Sequence, residues 1–122
     1  MNLSIPEELF ESFCHITPLD RTAFTEAHQQ SAVNSIRLNP YKPSDAFLTE
    51  EHVPWCNNGR YLHERPNFTA DPLLHAGCYY VQEASSMFLE YALKQLVNFD
   101  ETLITLDLCA SPGGKSTLLS SL

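Results

Sequence analysis

Positive charge is scarce in this sequence: seven Lys and Arg stand against fifteen Asp and Glu in 122 residues, a formal net charge of −8. Phosphate neutralisation and counterion release need clustered cations, so this stretch is not expected to drive nucleic-acid binding by itself. Glycine is also sparse, with four residues against eight scattered prolines, which argues against a low-complexity linker and for loops between short elements. There is no internal repeat. No apolar run approaches bilayer length, and residues 1–8, MNLSIPEE, lack a basic region followed by an apolar core. The expectation is a cytoplasmic protein with no membrane partner. Cys14, Cys56, Cys78 and Cys109 lie tens of residues apart with no C-x-x-C pair, so neither a zinc site nor a disulfide framework is signalled. His15, His28, His52, His63 and His75 show no ligand spacing, and no metal is expected.

What is present is enough apolar residue, 43% of the chain, to bury about two-thirds of the unfolded surface. Ser4 followed by Glu7 reads as a capping box, and Leu9, Phe10 and Phe13 at helical spacing predict a helix over 5–14. Asp20 is placed to cap a second helix reaching about residue 30, with Ala23, Phe24 and Ala27 inward. Residues 35–38 alternate apolar and polar before Asn39-Pro40, which predicts a short strand, and a brief helix is expected over 44–50. Residues 53–56 and 60–63 flank Asn57-Asn58-Gly59, a hairpin signal, with Trp55 as sheet core. Residues 77–81 are β-prone and lead into the longest expected helix, capped by Ser85 or Ser86 with Met87, Phe88, Tyr91, Ala92 and Leu96 inward. Residues 102–108 read as a strand covered on both faces in a parallel sheet, and a helix begins at Lys115. The chain ends inside that helix, without a glycine cap, so a truncated polypeptide is expected.

The segment Asp107-Leu108-Cys109-Ala110-Ser111-Pro112-Gly113-Gly114-Lys115 lies between the expected strand and helix, where open α/β sheets bind ligands. Its small residues permit a sharp turn, and free N–H groups at a helix start suit a carboxylate. A phosphate-binding P-loop would require glycine at position 109, which is Cys, and G-x-G-x-x-G fails because Gly113 and Gly114 are adjacent. An acid followed by small residues at alternate positions, Asp107-x-Cys109-x-Ser111-x-Gly113, matches the methyl-donor loop of methyltransferases. Nucleotide hydrolysis through Gly114-Lys115-Ser116 stays as a third alternative.

Residues 106–117, LDLCASPGGKST, resemble the cofactor motif of the Nop/Sun RNA cytosine-5 methyltransferases, D-x-C-A-A-P-G-G-K-[ST], with Ser111 replacing the commoner Ala. Residues 80–87, YVQEASSM, are similar to a second signature of that family, and residues 35–39, SIRLN, to its short strand motif. Pro54-Trp55-Cys56 followed by Gly59 resembles the branch that acts on bacterial small-subunit ribosomal RNA. Together these motifs cover most of residues 30–122.

The resemblance implies an α+β N-terminal module, two helices plus a small mixed sheet, over residues 1–76. Residues 77–122 would then be the opening β-α unit of a class I, Rossmann-like methyltransferase domain. It implies S-adenosyl-L-methionine as cofactor, held by Cys109, Ala110, Ser111, Pro112, Gly113, Gly114 and Lys115, and cytosine-5 methylation of RNA. Ribosomal RNA is the expected partner, bound through regions beyond this chain, with transfer RNA as the rival. The family's thiolate nucleophiles lie in Pro-Cys and Thr-Cys motifs that match no residue here, so the chain alone is expected to be inert. Cys109, with no basic neighbour, reads as a small residue lining the pocket. Lys115 is open between a ligand contact and a solvated lysine. Gln82 and Glu83 read as strand-end and helix-start polar groups more than as cleft residues, and Arg37 and Arg60 as exposed strand charges more than as phosphate contacts. A non-catalytic binding module is the alternative of a different class. An unpaired strand over 103–108 would invite self-association.

Overall fold

The helix-forming N-terminal residues and the strand-forming segments after them make two compact units, Met1–Ala32 and Val33–Leu122. A computed structural model describes residues 5–13, 15 and 19–122. The capping box expected at Ser4 and the thiol of Cys14 lie outside the described residues.

In the first unit, α1 (Glu7–Ser12) follows Pro6, whose extended backbone precedes the first turn. Asp20 caps α2 (Arg21–Gln29), its carboxylate accepting from the N–H groups of Thr22 and Ala23 at 2.9 and 3.0 Å. Phe24 meets Phe10 and Phe13 edge-on at 5.7 and 5.9 Å, and Arg21 lies over the Phe10 ring while donating to Glu7 at 2.6 Å. Ala23 and Ala27, expected inward, are exposed.

In the second unit, β1 (Asn34–Leu38) is the middle strand of a three-stranded sheet, paired antiparallel to β2 (Gly59–Leu62) and to β3 (Tyr79–Val81). The sheet expected to be mixed is therefore wholly antiparallel among the described residues. It also draws on both sides of the expected boundary at 76/77. The register sets Ile36 opposite Arg60 and Val81, and Arg37 opposite Gly59 and Tyr80. Alternation then gives the two faces different chemistry. One carries Ile36, Leu62 and Tyr79, packed by Leu38, Phe47, Phe68, Leu73 and Leu74. Phe68 comes from a 3-10 turn (Phe68–Ala70), and the leucines from α3 (Pro72–His75), which Asp71 caps through the Leu73 N–H. The other face carries Ser35, Arg37, Gly59 and Tyr61, and Tyr61 there packs against the cluster of Val53, Cys56, Ala84 and Met87.

The longest helix, α4 (Ala84–Leu96), lies against that second face. Its buried residues are Ala84, Met87 and Glu90, whereas Phe88, Tyr91 and Leu96, expected inward, are exposed. The stripe is displaced because Glu90 is satisfied where it is buried. Its carboxylate accepts from the Cys56 thiol at 2.8 Å, the Asn57 N–H at 3.4 Å and Lys94 at 2.5 Å. The serine cap expected at Ser85 or Ser86 is not formed. Glu83 holds the N-cap position without a side-chain bond, and the Ala84 carbonyl instead accepts from the Trp55 indole at 2.7 Å.

Three further expectations are corrected. Residues 44–50 form turns, with Phe47 at φ 63° so that its ring meets Tyr79 edge-on. The Asn-Gly turn does not join the two expected strands. Gly59 opens β2 without a positive φ and residues 53–56 make a turn, so the chain returns on β2 from residues 51–53, through the bridge between His52 and Arg60 and the bonds of Val53 N–H to the Gly59 carbonyl at 3.2 Å and Tyr61 N–H to the Glu51 carbonyl at 2.8 Å. Residues 102–107 carry no regular secondary structure and Leu108 lies in a turn, with Ile104, Leu106 and Leu108 at 101, 80 and 85% exposure. A parallel strand draws stability from neighbouring strands, and the described residues supply none beside it. The last helix, α5 (Gly114–Leu119), buries Leu118. No described helix is long and apolar enough to cross a membrane.

Gly59 is required by space: a Cβ there would sit 2.7 Å from the Val53 Cβ and 2.8 Å from the Met87 sulfur. Gly59→Ala is expected to cost about 1–3 kcal/mol of stability, read by denaturant unfolding, because Val53 Cβ cannot rotate away. Burial opposes the charge on Glu90, but the bonds from Cys56, Lys94 and the Asn57 amide outweigh it and hold the carboxyl below its ordinary value. A depressed folded value means that the contribution is complete above the ordinary glutamate range and lost as pH falls through the folded value. Glu90→Gln should therefore flatten the loss of stability that wild type shows between about pH 6 and about pH 3. An unchanged slope would contradict the Glu90 geometry.

Candidate functional site

The loop after residues 102–106 is closed by its own acid. Asp107 accepts from the Cys109 N–H at 2.9 Å through one oxygen and from the Ser116 hydroxyl at 2.7 Å through the other. The Ser116 bond, then the Cys109 amide, hold the Asp107 carboxyl below the usual carboxylate range. Gly113 turns the chain into α5 at φ 108°, a conformation that side chains disfavour. The result is a sharp bend beside a cleft of about 280 Å³.

Six of the seven expected site residues line that cleft: Cys109, Ala110, Ser111, Pro112, Gly114 and Lys115. Gly113 sets the turn from behind. Cys109, Ala110, Ser111 and Pro112 are exposed, as is Lys115 in the first turn of α5. The opposite wall is made by Tyr80, Val81, Gln82, Glu83 and Ser86, from the end of β3 and the start of α4. Glu83, read from sequence mainly as a helix-start anion, is exposed on the rim. Pro112 is held from behind by the Tyr80 hydroxyl, which donates to its carbonyl at 2.9 Å.

Sequence reasoning missed what lies behind the loop. Arg37 is 3% exposed and donates to Gln82 Oε1 from Nε at 2.9 Å, to Thr117 Oγ1 at 2.6 Å and to Ser121 Oγ at 3.2 Å. Gln82 is buried too, and its Nε2 donates to the Gly114 carbonyl at 3.3 Å while its own carbonyl accepts from Ser35 Oγ at 2.7 Å. Burial lowers the Arg37 pKa from its ordinary value, opposed by the Glu90 carboxylate. The expectation of an exposed strand charge fails because both faces of β1 are covered. Arg60 is buried as well, donating to the Asn57 and Gly59 carbonyls at 3.1 and 2.8 Å, with its Nε lacking an acceptor among the described residues. Neither arginine is free to meet phosphate.

The remaining cations of Val33–Leu122 are mostly committed. Lys94 pairs with Glu90, Arg65 lies 5.8 Å from the Phe68 ring, and Lys42 donates to the Ala76 carbonyl at 2.8 Å. Lys115 is left exposed at the cleft. Cys56 is a buried thiol pushed up to about 12, first by burial and then by its bond to Glu90, so it is a poor nucleophile at neutral pH. Among the described residues, no three His, Cys, Asp or Glu lie close enough to hold a metal ion.

Residues 5–84 match the family described as the N-terminal domain of 16S rRNA methyltransferase RsmF. The chain is 34% identical to ribosomal RNA small subunit methyltransferase F of Vibrio campbellii, over 99% of this chain and 28% of that protein. It is 34% identical to the protein of the same name in Vibrio cholerae over the same shares, and 35% identical to that of Pectobacterium atrosepticum over 97% and 27%. The chain thus spans about a quarter of the length of the curated relatives it matches. With the match covering residues 5–84, well over half of the chain, and these relatives aligned over nearly all of it, the chain belongs to the family of the N-terminal domain of 16S rRNA methyltransferase RsmF.

Proposed function

We propose that the complete protein is an S-adenosyl-L-methionine-dependent RNA cytosine-5 methyltransferase acting on 16S ribosomal RNA. In this reading residues 1–76 form its N-terminal module, and residues 77–122 open its catalytic domain with the first half of the cofactor pocket. The observation that carries the proposal is the acid-anchored bend at 107–115 beside a cleft, in a chain whose family and relatives are methyltransferases of ribosomal RNA.

The residues present suit the amino-acid end of that cofactor. A volume of about 280 Å³ is at the small end of ligand sites, in keeping with part of a pocket. The short side chains of Ala110 and Ser111 and the missing one of Gly114 allow close backbone approach, and the Gly113 turn presents the first N–H groups of α5, which have no acceptor within the helix. The Glu83 carboxylate suits an ammonium group and the Lys115 ammonium a carboxylate. When bound, the cofactor supplies an electrophilic methyl group on its sulfonium. The chain's own part is to bind and orient. Asp107 keeps the bend closed, and Cys109 serves as a small wall residue and not as the nucleophile. The thiolate that activates cytosine, and the basic surface that meets RNA, are assigned to the polypeptide outside this chain, since the cations here are few and, apart from Lys115, engaged.

The bare face of residues 103–108 is proposed to seek further strands, and in the isolated chain to drive self-association. Sedimentation should show the isolated chain forming dimers or larger species that Ile104→Lys and Leu106→Lys abolish; a monomer at all concentrations would contradict this.

The complete protein is expected to transfer a labelled methyl group from S-adenosylmethionine to 16S ribosomal RNA, and residues 1–122 are expected not to. Methyl transfer by the short form would overturn the assignment of the nucleophile. Gly113→Ala forces a left-handed conformation on alanine, at about 1–2 kcal/mol, and should weaken cofactor binding roughly tenfold in calorimetry of the complete protein. Wild-type affinity in that variant would remove the loop from the site.

A further inference from the structure

The geometry points to Arg37 and Gln82 as positioning residues for the methyl-donor loop: a buried guanidinium in the middle strand sets where the bend at 109–115 sits. The inference rests on the reading of that loop as the cofactor site.

The helix that carries the loop is six residues long and buries one side chain, Leu118. Apolar packing alone gives so short an element little to define its position. The sheet reaches the loop and helix instead through polar bonds at four points: Tyr80 to the Pro112 carbonyl, Gln82 to the Gly114 carbonyl, and Arg37 to Thr117 and to Ser121. Thr117 in turn donates to the Gly113 carbonyl at 2.8 Å, so the guanidinium bears on the turn through two routes. A methyl added at Gly114 would approach Gln82 Nε2 and Tyr80 Cε1 to 3.4 Å, which shows how closely the loop is seated on these side chains.

A charge this deeply buried is an inefficient way to gain stability, because desolvation consumes most of what its bonds return. What a planar fork provides is direction. Its donors reach Gln82 on one segment and Thr117 and Ser121 on another in fixed relative orientation, which the single point charge of lysine cannot reproduce. Loop position matters for transfer, since a misplacement of about 1 Å can cost a reaction roughly a hundredfold.

The test uses the complete protein with Arg37→Lys, Arg37→Met and the milder Thr117→Val, which retains shape and removes an acceptor. Binding of S-adenosylhomocysteine is measured by calorimetry, RNA binding by filter retention, and amide hydrogen exchange is followed along the chain. Both Arg37 variants should weaken analogue binding about tenfold or more, Thr117→Val less and in the same direction, with RNA affinity changed by less than about twofold. Exchange should quicken at 109–121 and stay as in wild type across β1 and β2. Lysine should fail to rescue. Unchanged analogue affinity with unchanged exchange overturns the proposal, as does a loss of protection spread evenly over the sheet, which would mark Arg37 as merely structural. If wild type does not bind the analogue, the cofactor reading fails, and localised exchange at 109–121 still decides whether Arg37 positions the loop.

Discussion

A guanidinium buried in a three-stranded sheet constrains this protein more than its apolar clusters do. Arg37 is 3% exposed, so its N–H groups need acceptors in neighbouring segments, and those it finds belong to Gln82, Thr117 and Ser121. That demand ties the end of β3 and the helix after the glycine turn to the same strand. The apolar face of the sheet, with Ile36, Leu62 and Tyr79, supplies burial. The polar face supplies position, and the candidate site grows from it.

Much of the framework was legible in the sequence because it depends on local chemistry. Asp20 caps α2 as its spacing predicts, β1 and β3 lie where alternation and β-prone residues place them, and six of the seven expected site residues come together at one cleft. Polar residues of the second unit depart from expectation because polarity does not imply exposure. Arg37, Arg60 and Gln82 are buried, Arg37 and Gln82 bonded to partners distant in sequence and Arg60 to backbone carbonyls through one terminal nitrogen, none of which a pattern of residue types reveals. Once Glu90 turns inward with Cys56, the aromatic residues of α4 are turned out. The Asn-Gly signal failed for a different reason: Gly59 is needed because Val53 and Met87 leave no room for a side chain, and not for a positive φ.

Charge and surface agree on how the labour is divided. The chain carries −8 formal charge and buries two of its arginines, so it presents few exposed cations. Residues 103–108 show Ile104, Leu106 and Leu108 to solvent, while Leu103, Thr105 and Asp107 line a hollow with Ser116 and Leu119 of α5. The bend at 107–115 beside this segment is the one proposed above for the cofactor.

The most direct measurement is an amide NMR titration of the labelled complete protein with S-adenosylhomocysteine and, separately, with ATP. The account predicts that the analogue shifts the amides of residues 109–115 together with those near Glu83 and Ser86, and that ATP leaves them unmoved. Shifts that bypass residues 109–115, or an equal response to ATP, would contradict it.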